Sequence, residues 1–166
     1  GSGAQVTLDT GTLALMGHSM GATISPLTTA IEPRYRALIL SGAGGSWIEN
    51  IVHKQSPVAV RPLAEVILYY PGKQRQLHEH DPILSLLQWA GEPADPPVYA
   101  ADLRRAGTSP HVLMLQGIVD TYILPPIANA TSLAFGLDLA IPALDADHPE
   151  LDAFTPLEPL LPFVSR

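Results

Sequence analysis

The chain has 166 residues, 46% of them hydrophobic and only 15% charged, where an average soluble domain carries about 25% charged residues. That length supports one domain with a real core, and so apolar a composition implies deep burial or a broad apolar surface. The net charge of −7, from 9 basic and 16 acidic residues with no basic stripe, excludes nucleic acid as the expected partner. The absence of cysteine excludes disulfides, thiol catalysis and cysteine-ligated zinc. No apolar run approaches the ~20 residues of a membrane-spanning helix. No signal peptide or internal repeat is visible, and the compartment stays open.

Residues 1–10 are small and polar, with Val6 and Leu8 alternating. They lead into an apolar strand over Thr12–Met16. Gly17-His18-Ser19-Met20-Gly21 follows, and then Ile24, Leu27 and Ile31 at helical spacing, which predicts a helix to about Glu32. Pro26 lies inside that helix and should bend or restrict it. Arg36–Gly42 is a second apolar strand. Strand, helix, strand in this order predicts a βαβ unit with parallel neighbours.

The composition changes between Ser46 and Pro110, where no strand alternation is visible. Helices are expected at about Pro62–Tyr70 and Pro82–Ala90, the second capped by Asp81 with Pro82 at its first position. Such a stretch is too long for a simple connection and reads as a helical insertion. His111–Gly117 is the third strand. Pro125-Pro126 opens a helix at about Ile127–Phe135, which Gly136 can end. Leu137–Leu144 reads as a fourth strand or as a continuation of that helix. Asp145 to Glu150 is polar loop, and the tail to Arg166 is apolar and broken by proline.

Gly17-His18-Ser19-Met20-Gly21 fits G-x-S-x-G, the pattern of a nucleophile elbow. Its steric logic is a strand turning sharply into a helix with Ser19 strained at the apex. Side chains two positions before and two after would collide, which predicts glycine at both. The turn raises the Ser19 hydroxyl above the strand ends and aims the Met20 N–H at a developing oxyanion. A glycine-rich turn without chemistry is the alternative, but the apolar strand before it and the helix after it are the context the motif requires. A hydroxyl nucleophile needs a base, and the base needs an orienting carboxylate. Asp120, in Gly117-Ile118-Val119-Asp120, follows the third strand and would share the carboxyl edge with Ser19. A helix-capping aspartate is its bland alternative. His148 is the only histidine after Asp120, and it completes the order Ser, Asp, His.

On Gly17–Gly21, the strand ending at Gly42, and Leu115-Gln116-Gly117-Ile118-Val119-Asp120, the chain resembles the α/β-hydrolase superfamily, of the esterase and lipase-like kind. The likeness covers residues 11–45 and 110–148. It implies an α/β fold that is the C-terminal part of a hydrolase: a parallel sheet flanked by helices, with residues 1–45 and 110–166 as a partial core and 46–109 as a helical cap. It implies Ser19 as nucleophile, Asp120 as triad acid, and the Met20 amide as an oxyanion donor. His148 is the base within this chain, and a histidine beyond Arg166 is the alternative. The activity implied is hydrolysis of carboxylic esters through an acyl-enzyme, with no metal and no organic cofactor. A small apolar ester is the expected substrate. Self-association, or pairing with a missing N-terminal part, is expected at the sheet edge where earlier strands would sit. The rival reading is an inactive, incomplete hydrolase-like domain that serves as a binding module.

The remaining histidines have plainer readings. His18 packs or hydrogen-bonds at the elbow, His111 starts a strand and His53 lies in the insertion. His78-Glu79-His80-Asp81 looks superficially like a metal cluster, but it reads better as a solvated helix start. Trp47, Tyr69, Tyr70 and Trp89 form the insertion's core or line an acyl pocket.

Overall fold

The computed structural model describes residue 3, residues 6–68, 76–107, 110–140 and 147–157, and residue 160. Three strands form a parallel sheet in the order β1 (Leu13–His18), β2 (Tyr35–Ser41), β3 (His111–Leu115). The elbow's helix α1 (Met20–Ile31) connects β1 to β2. The βαβ reading of this region therefore holds, and β1 runs two residues further than expected, to His18. Between α1 and β2 the Glu32 carboxylate accepts from the Arg34 side chain at 2.6 Å and 2.8 Å and from its backbone N–H. These bonds hold the Glu32 pKa down at about 2.

Helices α2 (Trp47–His53), α3 (Val60–Ile67), α4 (Pro82–Gly91) and α5 (Pro96–Arg105) fill the stretch between β2 and β3. Two of them, α2 and α5, had no clear sequence signal, because one is short and the other opens on Pro96-Pro97. Helix α6 (Pro125–Phe135) follows β3 and ends at Gly136, whose φ of 69° is the left-handed cap that glycine favours. Residues 137–140 form neither strand nor helix, and 141–144 lie outside the described residues. Asp81 and Pro82 stand at the N-cap and first position of α4 as expected. The Asp81 carboxylate accepts from the His78 N–H at 2.9 Å.

The strand order advances in one direction. Right-handed crossovers then put the helices that pack on the sheet on the same side. Ala22 of α1, Ala100 and Leu103 of α5 and Phe135 of α6 pack with Leu38 and Leu40 of β2, joined by Leu15, Val112 and Met114. The opposite side carries Ala14, Met16 and His18 of β1, Ile39 of β2, and Leu113 and Leu115 of β3. Met16 is 67% exposed there, Leu113 52% and Leu115 50%. Parallel sheets ordinarily bury both faces, so this open apolar face accounts for part of the chain's low charge.

A second, smaller core forms within the helical stretch from Val52, Leu77 and Leu84, with Ile48, Ile51, Ala64, Leu68, Ile83 and Leu87 around it. It unites α2, α3 and α4, whereas α5 joins the sheet's own core. A buried polar chain links the two. Asp95, at the N-cap of α5, accepts from the Ser46 N–H at 2.8 Å and from the Gln88 side chain at 2.5 Å. The Gln88 carbonyl oxygen in turn accepts from the Ser46 hydroxyl and the Ile48 N–H, each at 3.3 Å.

Candidate active site

Ser19 sits between the end of β1 and the start of α1 with φ 53° and ψ −119°, a conformation non-glycine residues seldom adopt. Its amide donates to the Ser41 carbonyl at 2.8 Å, which ties the apex to the end of β2. Its own carbonyl accepts from the Thr23 N–H at 2.9 Å and starts the helix. The turn is tight on one side only. A Cβ on Gly17 would lie 2.5 Å from the Ala22 nitrogen and from the Gly21 carbonyl atoms, which no side chain can tolerate. A Cβ on Gly21 would meet nothing within 4 Å. The expectation that both glycines are sterically required is thus corrected: Gly21 lies in the first turn of α1, where its Cβ direction is open.

Ser19 is exposed, as is Met20 beside it. Met20 is the first residue of α1, and the first N–H groups of a helix have no intrahelical acceptor. Their dipoles add up to a partial positive charge at this end. The Met20 amide is therefore available to a negative oxygen above the elbow.

Asp120 stands beyond the end of β3, at the same edge. The Gly42 N–H donates to the Leu115 carbonyl at 2.9 Å, so the ends of β2 and β3 are bonded together. Asp120 Oδ1 accepts from the Tyr122 N–H at 2.8 Å and the Ile123 N–H at 3.0 Å, closing a turn over the strand end. Oδ2 lies over Gly42 and Gly117, 3.7 Å and 4.0 Å from where their Cβ atoms would stand. No described residue bonds to Oδ2. One carboxylate oxygen is spent on the turn and the other is left free beside the strand that separates β3 from Ser19. Two inter-strand spacings put the ends of β1 and β3 about 10 Å apart, room for one imidazole between them.

His148 is half-buried before a short turn at Pro149–Leu151, with Nδ1 3.7 Å from a Glu150 carboxylate oxygen. The structure brings it into hydrogen-bond contact with neither Ser19 nor Asp120. Of the later acids, Asp138 and Asp147 are exposed, and Asp145 lies outside the described residues. His18 Nδ1 lies 3.1 Å from the Ser41 hydroxyl, the hydrogen-bonding role expected of it. His53 pairs with Glu49 at 3.2 Å and meets Phe154 edge-on, with ring centroids 5.7 Å apart. Among the described residues no group of three or more His, Asp or Glu is placed to hold a metal.

No known protein family, curated protein or solved structure matches this chain.

Three contributors to the geometry of the site carried no sequence signal. Gln116 donates to the Ile123 carbonyl at 2.8 Å and Lys54 donates to the Tyr122 carbonyl at 2.9 Å, both clasping the Asp120 turn. Gly44 lies so close to that turn that a Cβ on it would come within 3.0 Å of the Ile123 methyl. Contacts like these depend on which loops meet at the sheet edge, and a linear pattern does not encode them. In the helical stretch Trp47 donates to the Gly91 carbonyl at 2.9 Å. Trp89, 72% exposed, lines a shallow groove of ≈430 Å³ with Tyr99, Glu92 and Asp102. Tyr69 and Tyr70 lie outside the described residues.

Proposed function

We propose that the chain belongs to an α/β-hydrolase that cleaves carboxylic esters with apolar acyl or aryl groups. The observation that carries this reading is the backbone of Ser19. A serine at φ 53°, between a glycine that tolerates no side chain and the N-terminus of a helix, is strained in the way an exposed nucleophile demands. A strained non-glycine residue costs about 1–3 kcal/mol; Ser46, at the N-cap of α2 with φ 65°, is the other one among the described residues, and Ser19 differs from it in standing exposed at a strand-to-helix turn. The free Oδ2 of Asp120 at the same edge supports the reading. So does the helical unit α2–α4, which leaves the sheet at the carboxyl end of β2, where a cap would begin.

In this reading Ser19 Oγ attacks the ester carbonyl carbon and its proton passes to an imidazole that Asp120 orients. The Met20 N–H holds the oxyanion. Collapse expels the alcohol, which takes that proton, and leaves an acyl-enzyme. Water then repeats the sequence, releasing the acid and restoring the Ser19 hydroxyl. His148 is the imidazole we propose for this role.

The test is fluorophosphonate labelling, located by peptide mass spectrometry, beside turnover of a p-nitrophenyl ester. Label on Ser19 with turnover abolished in Ser19→Ala supports the reading. Turnover unchanged in Ser19→Ala overturns the assignment. Two observations favour the rival, a non-enzymatic binding module. No described imidazole bonds to Ser19, and among the described residues the sheet exposes an apolar face and leaves the outer edge of β1 unpaired. Neither label nor turnover in the chain would select that rival.

A further inference from the structure

The Tyr122–Ile123 segment of the Asp120 turn has all four of its backbone polar groups held by side chains. Both N–H groups donate to Asp120 Oδ1. The Ile123 carbonyl accepts from Gln116 and the Tyr122 carbonyl accepts from Lys54 Nζ. Asp120 and Gln116 belong to the strand end itself. Lys54 comes from the other side of the site, as the C-cap of α2. Its own backbone is fixed twice, its N–H donating to the Asn50 carbonyl at 3.2 Å and its carbonyl accepting from the Val60 N–H at 3.1 Å. Helix α2 is seated in turn by Asp95 on Ser46, and its Val52 lies in the small core with Leu77 and Leu84.

From this clasp we infer that Lys54 is a positioning residue for Asp120, through which the helical unit controls where Oδ2 points. The physical chain is short. The turn fixes Oδ1 only while Tyr122 and Ile123 keep their N–H groups convergent. Lys54, through the Tyr122 carbonyl, holds the peptide plane that carries the Ile123 N–H, and Gln116, through the Ile123 carbonyl, holds the next plane. Loss of the ammonium leaves the Tyr122 carbonyl to water, frees the plane to rotate, and lets Asp120 swing. The inference rests on the proposed hydrolase reading only for its catalytic consequence, since the clasp itself is geometric.

The experiment uses the full chain with Lys54→Met, which keeps the stem and removes the donor, and Lys54→Arg, which keeps a donor. Amide hydrogen exchange at Tyr122 and Ile123 is followed by NMR, with the amides of Leu38 and Leu40 reporting on the fold. The kcat and KM for a p-nitrophenyl ester are measured in parallel. Lys54→Met should accelerate exchange at Tyr122 and Ile123 about tenfold, the equivalent of one charge-assisted hydrogen bond, with β2 unaffected. It should lower kcat with KM little changed, and Lys54→Arg should restore both. Unchanged exchange in Lys54→Met overturns the inference, as does faster exchange with unchanged kcat in an active protein. A wild-type chain without turnover overturns the hydrolase reading instead, and the exchange rates still decide the clasp.

Discussion

Gly17 and Gly21 flank Ser19 symmetrically in sequence but not in space. Gly17→Ala should destabilise by about 2–4 kcal/mol, because its Cβ would strike backbone, which cannot rotate away. Gly21→Ala should be neutral, or stabilising by up to about 1 kcal/mol, as expected for a helical position with open space. Urea midpoints of the two variants check this pair, and equal losses would contradict the geometry. Ser19→Gly should stabilise by about 1 kcal/mol through relief of the positive φ, while removing the hydroxyl that the proposed reaction needs. Asp120→Asn keeps an oxygen for the Tyr122 and Ile123 N–H groups, so the turn and the melting temperature should survive. It should nonetheless lower kcat by roughly three to four orders of magnitude, because an amide does not stabilise an imidazolium.

At the scale of elements, the two cores make separate demands. Leu84 is fully buried in the small core of α2–α4, and Leu84→Ala should cost about 2–5 kcal/mol locally. Helix α5 packs with the sheet, so protection of β2 should persist while α2–α4 loosens. Helix α3 has no buried residue, and its apolar Val66 is 73% exposed. Its amides should therefore be the first of the described helices to exchange, at the low end of the stability range. Hydrogen exchange that rises together in α3 and β2 would show one cooperative unit in place of two.

For the whole molecule, the uncovered face of the sheet dominates. Met16 and Leu113 stand in register across β1 and β3 with Ile39 between, Leu115 lies two residues further along the same face, and among the described residues the outer edge of β1 is unpaired. The net charge of −7 opposes association, but an apolar parallel-sheet face is ordinarily covered. Sedimentation velocity should show association that grows with concentration. Met16→Lys together with Leu113→Lys should suppress it with little change in stability, since both side chains are already exposed. Monomeric behaviour of the unsubstituted chain at high concentration would contradict this. No described helix is long and apolar enough to cross a membrane.

Local chemistry was legible in the residues themselves. The apolar runs at Leu13, Ala37 and Val112, the punctuation at Gly17, Gly42 and Gly136, and the helical spacing after Met20 are short-range patterns. Each is decided by backbone sterics and by the side chains of immediate neighbours. The elbow and the α/β class follow from them. Tertiary structure decided what depends on distant segments meeting. It made Gly17, not Gly21, the intolerant position, because the Ala22 nitrogen folds back over it. It assigned α5 to the main core. It also turned one oxygen of Asp120 into the turn and left the other free, and it set Lys54 across from that turn. The one-sided sheet is the sum of such choices. Each right-handed crossover is a local preference, but only three strands laid in one direction put α1, α5 and α6 together on one face.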